Sequence, residues 1–146
     1  LRAFEDKNCE HIIVMVQKEV AEKFTAKVNN KDYSSLGIIT ELISIDSRIL
    51  FDVPPESFDP PPKIISSILY IKKDMDKCLD KDFNKFLKAC FVQPRKKLSK
   101  NLTSVLSKDA IFEIYKELNI DDNVRPHEVS SSLYSQMHTR VKDGRN

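Results

Sequence analysis

Glycine is almost absent from this chain: Gly37 and Gly144 are the only two in 146 residues, and they lie far apart. A loop whose backbone closes on a bound cofactor needs glycines at close spacing, so none is encoded here. Long apolar runs are missing too. Runs such as Ile12–Val16 fall far short of the roughly 20 residues that cross a bilayer as a helix, and no membrane role is expected. Cysteine is scarce and odd in number. Cys9, Cys78 and Cys90 have no close spacing, which points to reduced structural thiols and a cytoplasmic protein. His11, His127 and His138 stand at no metal-ligand spacing, so no metal site is expected. No histidine and aspartate surround Ser66-Ser67 or Ser130-Ser131-Ser132 in a hydrolase-like constellation. The opening residues Leu-Arg-Ala-Phe-Glu-Asp are acidic without an apolar stretch, so no secretory leader is expected. The chain opens on Leu1 rather than Met, which points to a fragment.

What is present is an ordinary globular balance, 40% hydrophobic and 32% charged. The length suits one domain or two small ones. Net charge is +2, but its distribution is uneven. Residues 1–74 carry 10 Lys+Arg against 12 Asp+Glu, and residues 75–146 carry 14 against 10. The basic bias of the second half suits a polyanion partner, and a solvated helical surface has the same bias.

The two halves also differ in pattern. His11–Val16 is a continuous apolar run, the signature of a strand buried on both faces. Val20, Ala21, Phe24 and Val28 recur at roughly helical spacing, which predicts a helix over about residues 18–27. After a turn at Asn29–Asp32, with Asp32 or Ser34 as a cap, Leu36, Ile39, Leu42 and Ile43 form a second helical stripe. Ser47–Val53 and Ile64–Ile71 read as strands. Between them Pro54–Lys63 holds five of the seven prolines, which predicts a stiff, extended connection. A charged stretch near Lys72–Asp76 then marks a boundary between halves. Beyond it the pattern is helical. Leu79, Phe83, Phe86, Leu87 and Cys90 give one stripe, and Leu98, Leu102, Val105 and Leu106 a second. Ile111, Ile114, Tyr115 and Leu118 give a third, and Leu133, Met137 and Val141 a fourth. Pro94 stops a helix or begins the next, and Gly144-Arg145-Asn146 is expected to fray.

Two groups of residues carry candidate chemistry. Phe58 is held between prolines at a strand end. An aromatic so placed either stacks on a base, worth roughly 1–3 kcal/mol, or plugs the core. Lys63, after the prolines, meets a phosphate or is an exposed strand-start lysine. Arg95, Lys96, Lys97 and Lys100 form a cluster with no acid between Asp82 and Asp109. Cations near a helix start engage phosphates, with Asn101 adding a hydrogen bond, or they are a solvated face. Glu19 and Glu22 lie three apart on one helix face with no nucleophile beside them, and read as solubilising carboxylates.

Four stretches in order resemble the ribosomal RNA adenine dimethyltransferases. They are Met15–Glu22 (MVQKEVAE), Val53–Ile64 (VPPESFDPPPKI), Phe91–Leu102 (FVQPRKKLSKNL) and, more weakly, Arg125–Ser130 (RPHEVS). The second and first together, in register, are specific, and the four span most of the chain.

The resemblance implies a fold class of α/β plus all-α. Residues 1–74 would be the closing part of a Rossmann-like methyltransferase domain. His11–Val16 would be its fifth strand, Ser47–Val53 its sixth, and Ile64–Ile71 an antiparallel seventh inserted between them. Residues 75–146 would be a helical rRNA-binding domain. The implied activity is dimethylation of two adjacent adenines of small-subunit rRNA, with S-adenosylmethionine as cofactor. Phe58 would stack on the target adenine, and the segment at Arg95 would face the ribosome, although Pro94 stands where the family carries an arginine. The family's Gly-rich loop and its Asn-Leu-Pro-Tyr motif are absent from this sequence. The expectation is therefore a C-terminal fragment, inactive alone and with no cofactor bound. Its partner would be small-subunit rRNA, and its exposed strand edge at His11–Val16 would be covered by self-association or by the N-terminal residues. Two other readings stay open: an RNA-binding or ribosome-assembly module without catalysis, and a relative of the erythromycin-resistance enzymes acting on large-subunit rRNA.

Overall fold

Apolar spacing along the chain resolves into three strands and seven helices in the computed structural model, which describes residues 2–144. A short α1 (Arg2–Glu5) leads to β1 (His11–Gln17), α2 (Lys18–Thr25), α3 (Ser35–Ile43) and β2 (Ser44–Val53). The proline connection, with a 3-10 turn at Pro55–Ser57, leads to β3 (Ser66–Lys73). Then come α4 (Lys81–Cys90), α5 (Leu98–Leu102), α6 (Lys108–Leu118), a 3-10 turn at Pro126–Glu128 and α7 (Ser131–Gly144).

The sheet has the order β1-β3-β2, with β3 antiparallel to both neighbours. The last strand is thus inserted between the first two, as the resemblance implies. On β3 side chains alternate strictly. Ser67, Leu69, Ile71 and Lys73 are buried, while Ser66, Ile68, Tyr70 and Lys72 face the other side. The helix-covered face joins the core through Ile12, Leu69, Ile71, Ile38 and Ile39.

The structure departs from several expectations. The run in β1 was read as doubly buried, yet only Ile12 is buried; Ile13 and Met15 are 64% and 51% exposed. Ile13 and Met15 lie on the uncovered face, and among the described residues β1 pairs only with β3. The expected cover over its free edge is not supplied by the N-terminal residues, which form α1 instead of a fourth strand. The proline connection is not extended: it turns at Pro55–Ser57 and contains a cis Asp59–Pro60 bond. The charged stretch at Lys72–Asp76 begins inside β3. Lys73 is 3% exposed, and its Nζ donates to the carbonyls of Ala3 and Asp6, at the C-terminal end of α1. A cation suits that negative end of a helix.

In the helical half α4 is capped by Asp80, whose carboxylate accepts from the Asp82 and Phe83 amides. It buries Phe83, Phe86, Leu87 and Cys90. Ser107 caps α6 by accepting from Ala110 N, and Asn119 ends it at φ 54°, a left-handed conformation that asparagine tolerates. The α7 stripe buries Tyr134 and His138 besides Met137 and Val141. Gly144 closes α7, while the rest of the expected frayed end, Arg145 and Asn146, lies outside the described residues.

The buried cluster runs without a break from Phe4 and Ile12 to Tyr134 and Val141. Polar ties cross between halves. Glu41 Oε2 accepts from Ser131 Oγ at 2.8 Å and from Tyr33 Oη at 3.3 Å, and Asn29 N donates to His127 O at 2.8 Å. Gly37 sits where α3 meets the end of α2. A Cβ there would lie 3.1 Å from Ala26 O and 3.2 Å from Lys23 O, so the position suits a residue without a side chain.

Candidate nucleic-acid interface

The proline connection leaves the sheet at Val53 and returns at Ser66, and these two residues pair across β2 and β3. Its neck is clamped. Asp52 accepts from Ser67 Oγ at 2.7 Å and pairs with Lys18 Nζ at 2.9 Å, while Lys18 N donates to Ile65 O at 2.9 Å. The Ser67 hydroxyl, then Lys18, hold the Asp52 carboxyl below its ordinary value, and Asp52 in turn raises Lys18. The Lys18 of the Gln17-Lys18-Glu19 segment thus braces the junction of β1 and α2 against β2 and β3.

Phe58 follows the 3-10 turn, in which Ser57 N donates to Pro54 O and Phe58 N to Pro55 O. The turn places Phe58 within the loop that joins β2 to β3. Phe58 is half-buried. Lys63 is exposed further along the same connection.

The second group lies between α4 and α5. Lys96 N donates to Gln93 O at 3.0 Å, closing a β-turn with Pro94 second, a position that suits proline's fixed φ. Pro94 therefore neither ends α4, which stops at Cys90, nor starts α5. Arg95, Lys96 and Lys97 project from this turn and Lys100 from α5; all four are exposed. No ion pair involves any of the four among the described residues.

Asn101 differs from the expectation. It is buried, its Oδ1 accepts from Gln93 N at 2.7 Å, and its Nδ2 donates to Gln93 O at 3.0 Å and Lys97 O at 3.1 Å. Both amide protons are committed, so Asn101 holds the shape of the basic turn and has no donor left for RNA. Leu98 N, bonded to Val124 O at 2.8 Å, fixes the other end of the segment. The sequence reading missed this buckle because Gln93 and Asn101 are eight residues apart and meet only once the turn closes. The fourth stretch forms a compact turn. Arg125 N donates to Glu128 Oε1 at 2.9 Å, and the buried Tyr134 hydroxyl donates to Pro126 O at 2.6 Å.

The structure thus gathers Phe58 and Lys63 on one loop of the sheet, and Arg95, Lys96, Lys97 and Lys100 on one turn of the helical half. A sheet whose last strand is inserted antiparallel between two others is followed by helices that carry an exposed basic turn. The fold is similar to a dimethyladenosine transferase of Plasmodium falciparum, with a TM-score of 0.76 over 92% of this chain and 57% of that one, at 20% identity. It is less similar to the 23S rRNA methyltransferase ErmE, with a TM-score of 0.57 over 91% of this chain and 55% of that one, at 16% identity. The chain belongs to the ribosomal RNA adenine dimethylase family, whose profile matches residues 2–143. It is 84% identical to the ribosomal RNA small subunit methyltransferase A of Aliarcobacter butzleri over all of this chain and 55% of that protein. The enzyme of the same name from Campylobacter jejuni strain RM1221 is 44% identical over 98% of this chain and 54% of its own length. The chain thus spans about half the length of the curated relatives it matches.

Proposed function

We propose that this chain is the RNA-facing, C-terminal portion of an S-adenosylmethionine-dependent dimethyltransferase acting on two adjacent adenines of small-subunit rRNA. The observation that carries the reading is the basic turn at Arg95–Lys97. Its cations carry no ion pairs among the described residues, and Asn101 holds its backbone, in a family defined by rRNA adenine dimethylation. In this reading residues 1–74 hold the target base and residues 75–146 grip the ribosome.

The chemistry asks little of covalent catalysis. An exocyclic amine attacks a methyl group once the base is flipped out and aligned. Phe58 stacks on that base from its clamped loop, Lys63 meets a phosphate beside it, and Arg95, Lys96, Lys97 and Lys100 neutralise phosphates further away. The residues present do not fit the cofactor. Gly37 is taken up by helix packing and Gly144 closes α7, so no glycine-rich cradle follows a strand. No step through the cofactor is derived for this chain, and methyl transfer by it alone is not expected.

A direct test joins this chain to the remainder of the Aliarcobacter butzleri relative and assays labelled methyl transfer into small ribosomal subunits. The expected result is transfer by the chimera, none by the 146-residue chain, and a large loss in the chimera carrying Phe58→Ala. Transfer by the 146-residue chain alone would overturn the division of labour. A small-subunit target is preferred over a large-subunit one because the relatives at 84% and 44% identity carry small-subunit names, whereas the likeness to ErmE is one of fold.

A further inference from the structure

Helix α6 carries its apolar stripe at Ile111, Ile114 and Tyr115, all buried. Phe112 stands outside that stripe, 65% exposed, and nothing in the methyltransferase reading uses it. It lines a groove of about 870 Å³ between α5 and α6. Lys108 and Lys116 lie four residues before and after it, so the three share one helix face, with a rise of roughly 6 Å per step. Lys100 enters the same groove from α5, and Asp122 is its one acidic lining residue. An exposed aromatic ring thus sits among three ammonium groups and one carboxylate.

We infer that this groove binds an unpaired nucleotide of RNA, with the base stacked on Phe112 and the adjoining phosphates held by Lys100, Lys108 and Lys116. The inference rests on the RNA-binding reading and deepens it, because Lys100 belongs to both the basic turn and the groove. Charge decides the occupant. An apolar protein segment seated on Phe112 would bury three cations against one acid, which is costly without partners. A single strand brings both a π-face and the counter-charge. A duplex keeps its bases stacked inside and has no face to give, so the groove discriminates between the two.

Exposure of Phe112 makes it replaceable without disturbing the core, and the chain has no tryptophan. Phe112→Trp therefore introduces a single indole at the site. Its fluorescence is expected to be quenched by a short oligo(A) RNA and not by an RNA duplex. Phe112→Ala and Phe112→Leu should weaken oligo(A) binding by roughly five- to a hundredfold, one stacked base's worth, while Phe112→Tyr keeps it. Fluorescence unmoved by oligo(A), or Phe112→Ala binding like wild type, would overturn the inference. If binding to small ribosomal subunits still falls in an Arg95→Ala/Lys96→Ala variant, the broader RNA reading survives that failure. If wild type binds neither RNA nor subunits, both readings fall.

Discussion

Asn101 shows how one buried amide shapes a basic surface. It takes the Gln93 amide proton and returns one of its own to the Gln93 carbonyl, so the turn bearing Arg95 and Lys96 closes on a side chain rather than on a neighbouring strand. Asn101→Ala leaves the Gln93 amide without its acceptor. The expected cost is about 1–3 kcal/mol in urea unfolding, with no change in net charge. Stability equal to wild type would show that water replaces the amide and that the turn does not depend on it. The sequence reading identified Asn101 as a site residue and misassigned its role, since a polar residue beside four cations looks the same from either side of the surface. At Phe58 the prolines read as a stiff, extended connection, whereas the chain turns at Pro55–Ser57 and leaves Phe58 half-buried.

Among the elements, the clamp at the neck of the proline connection makes stability depend on pH at both extremes. Asp52 titrates below its ordinary value of 3.8, so its contribution is present above that value and is lost as pH falls through the lowered one. Lys18 titrates above 10.5, so its contribution is present below 10.5 and is lost as pH rises through the raised one. Asp52→Asn keeps an acceptor for Ser67 but not the charge. The variant should be less stable than wild type at neutral pH and converge with it in acid, as followed by urea midpoints. A stability gap that stays constant into acid would remove the ion pair from the account.

Strand β1 presents an edge without partner among the described residues, seven residues long and free of Lys, Arg and Pro. Edges of that kind pair with other chains. The isolated chain should associate as its concentration rises in sedimentation velocity, and Val14→Lys at mid-strand should hold it monomeric. A wild type that stays monomeric at high concentration would contradict this. The same strand shows where sequence patterns stop informing. The run His11–Val16 encodes a strand fit for cover on both faces, but whether cover exists depends on residues outside it, and the chain spans about half of its relatives. Strand β2 starts three residues before its expected position because irregularities at Ser44/Asp46 and Ile49/Phe51 break the alternation that marks a strand. Lys73 read as linker because its partners, the carbonyls of Ala3 and Asp6, are some seventy residues away along the chain.

At the scale of the whole molecule, one buried cluster unites the two halves, while their surfaces differ in kind. The sheet end bears Phe58 and Lys63, and the helical half bears the basic turn. Most element types were readable from local periodicity, whereas the strand insertion came from the resemblance. The stripe at Leu98, Leu102, Val105 and Leu106 overreached, since α5 stops at Leu102 and Val105 is 41% exposed. The Asn101 buckle was not readable, because it forms only when the turn after α4 closes, nor was the groove at Phe112, whose lining comes from α5, α6 and the residues after α6. The central claim is that the turn at Arg95–Lys97 meets ribosomal RNA, and the most direct measurement is binding to small ribosomal subunits across a salt series. The account predicts saturable binding that falls steeply with salt, and an Arg95→Ala/Lys96→Ala variant that binds more weakly with a log–log slope shallower by about 2. Binding absent at every salt, or a variant indistinguishable from wild type, would contradict it and reduce the basic turn to a solvated surface.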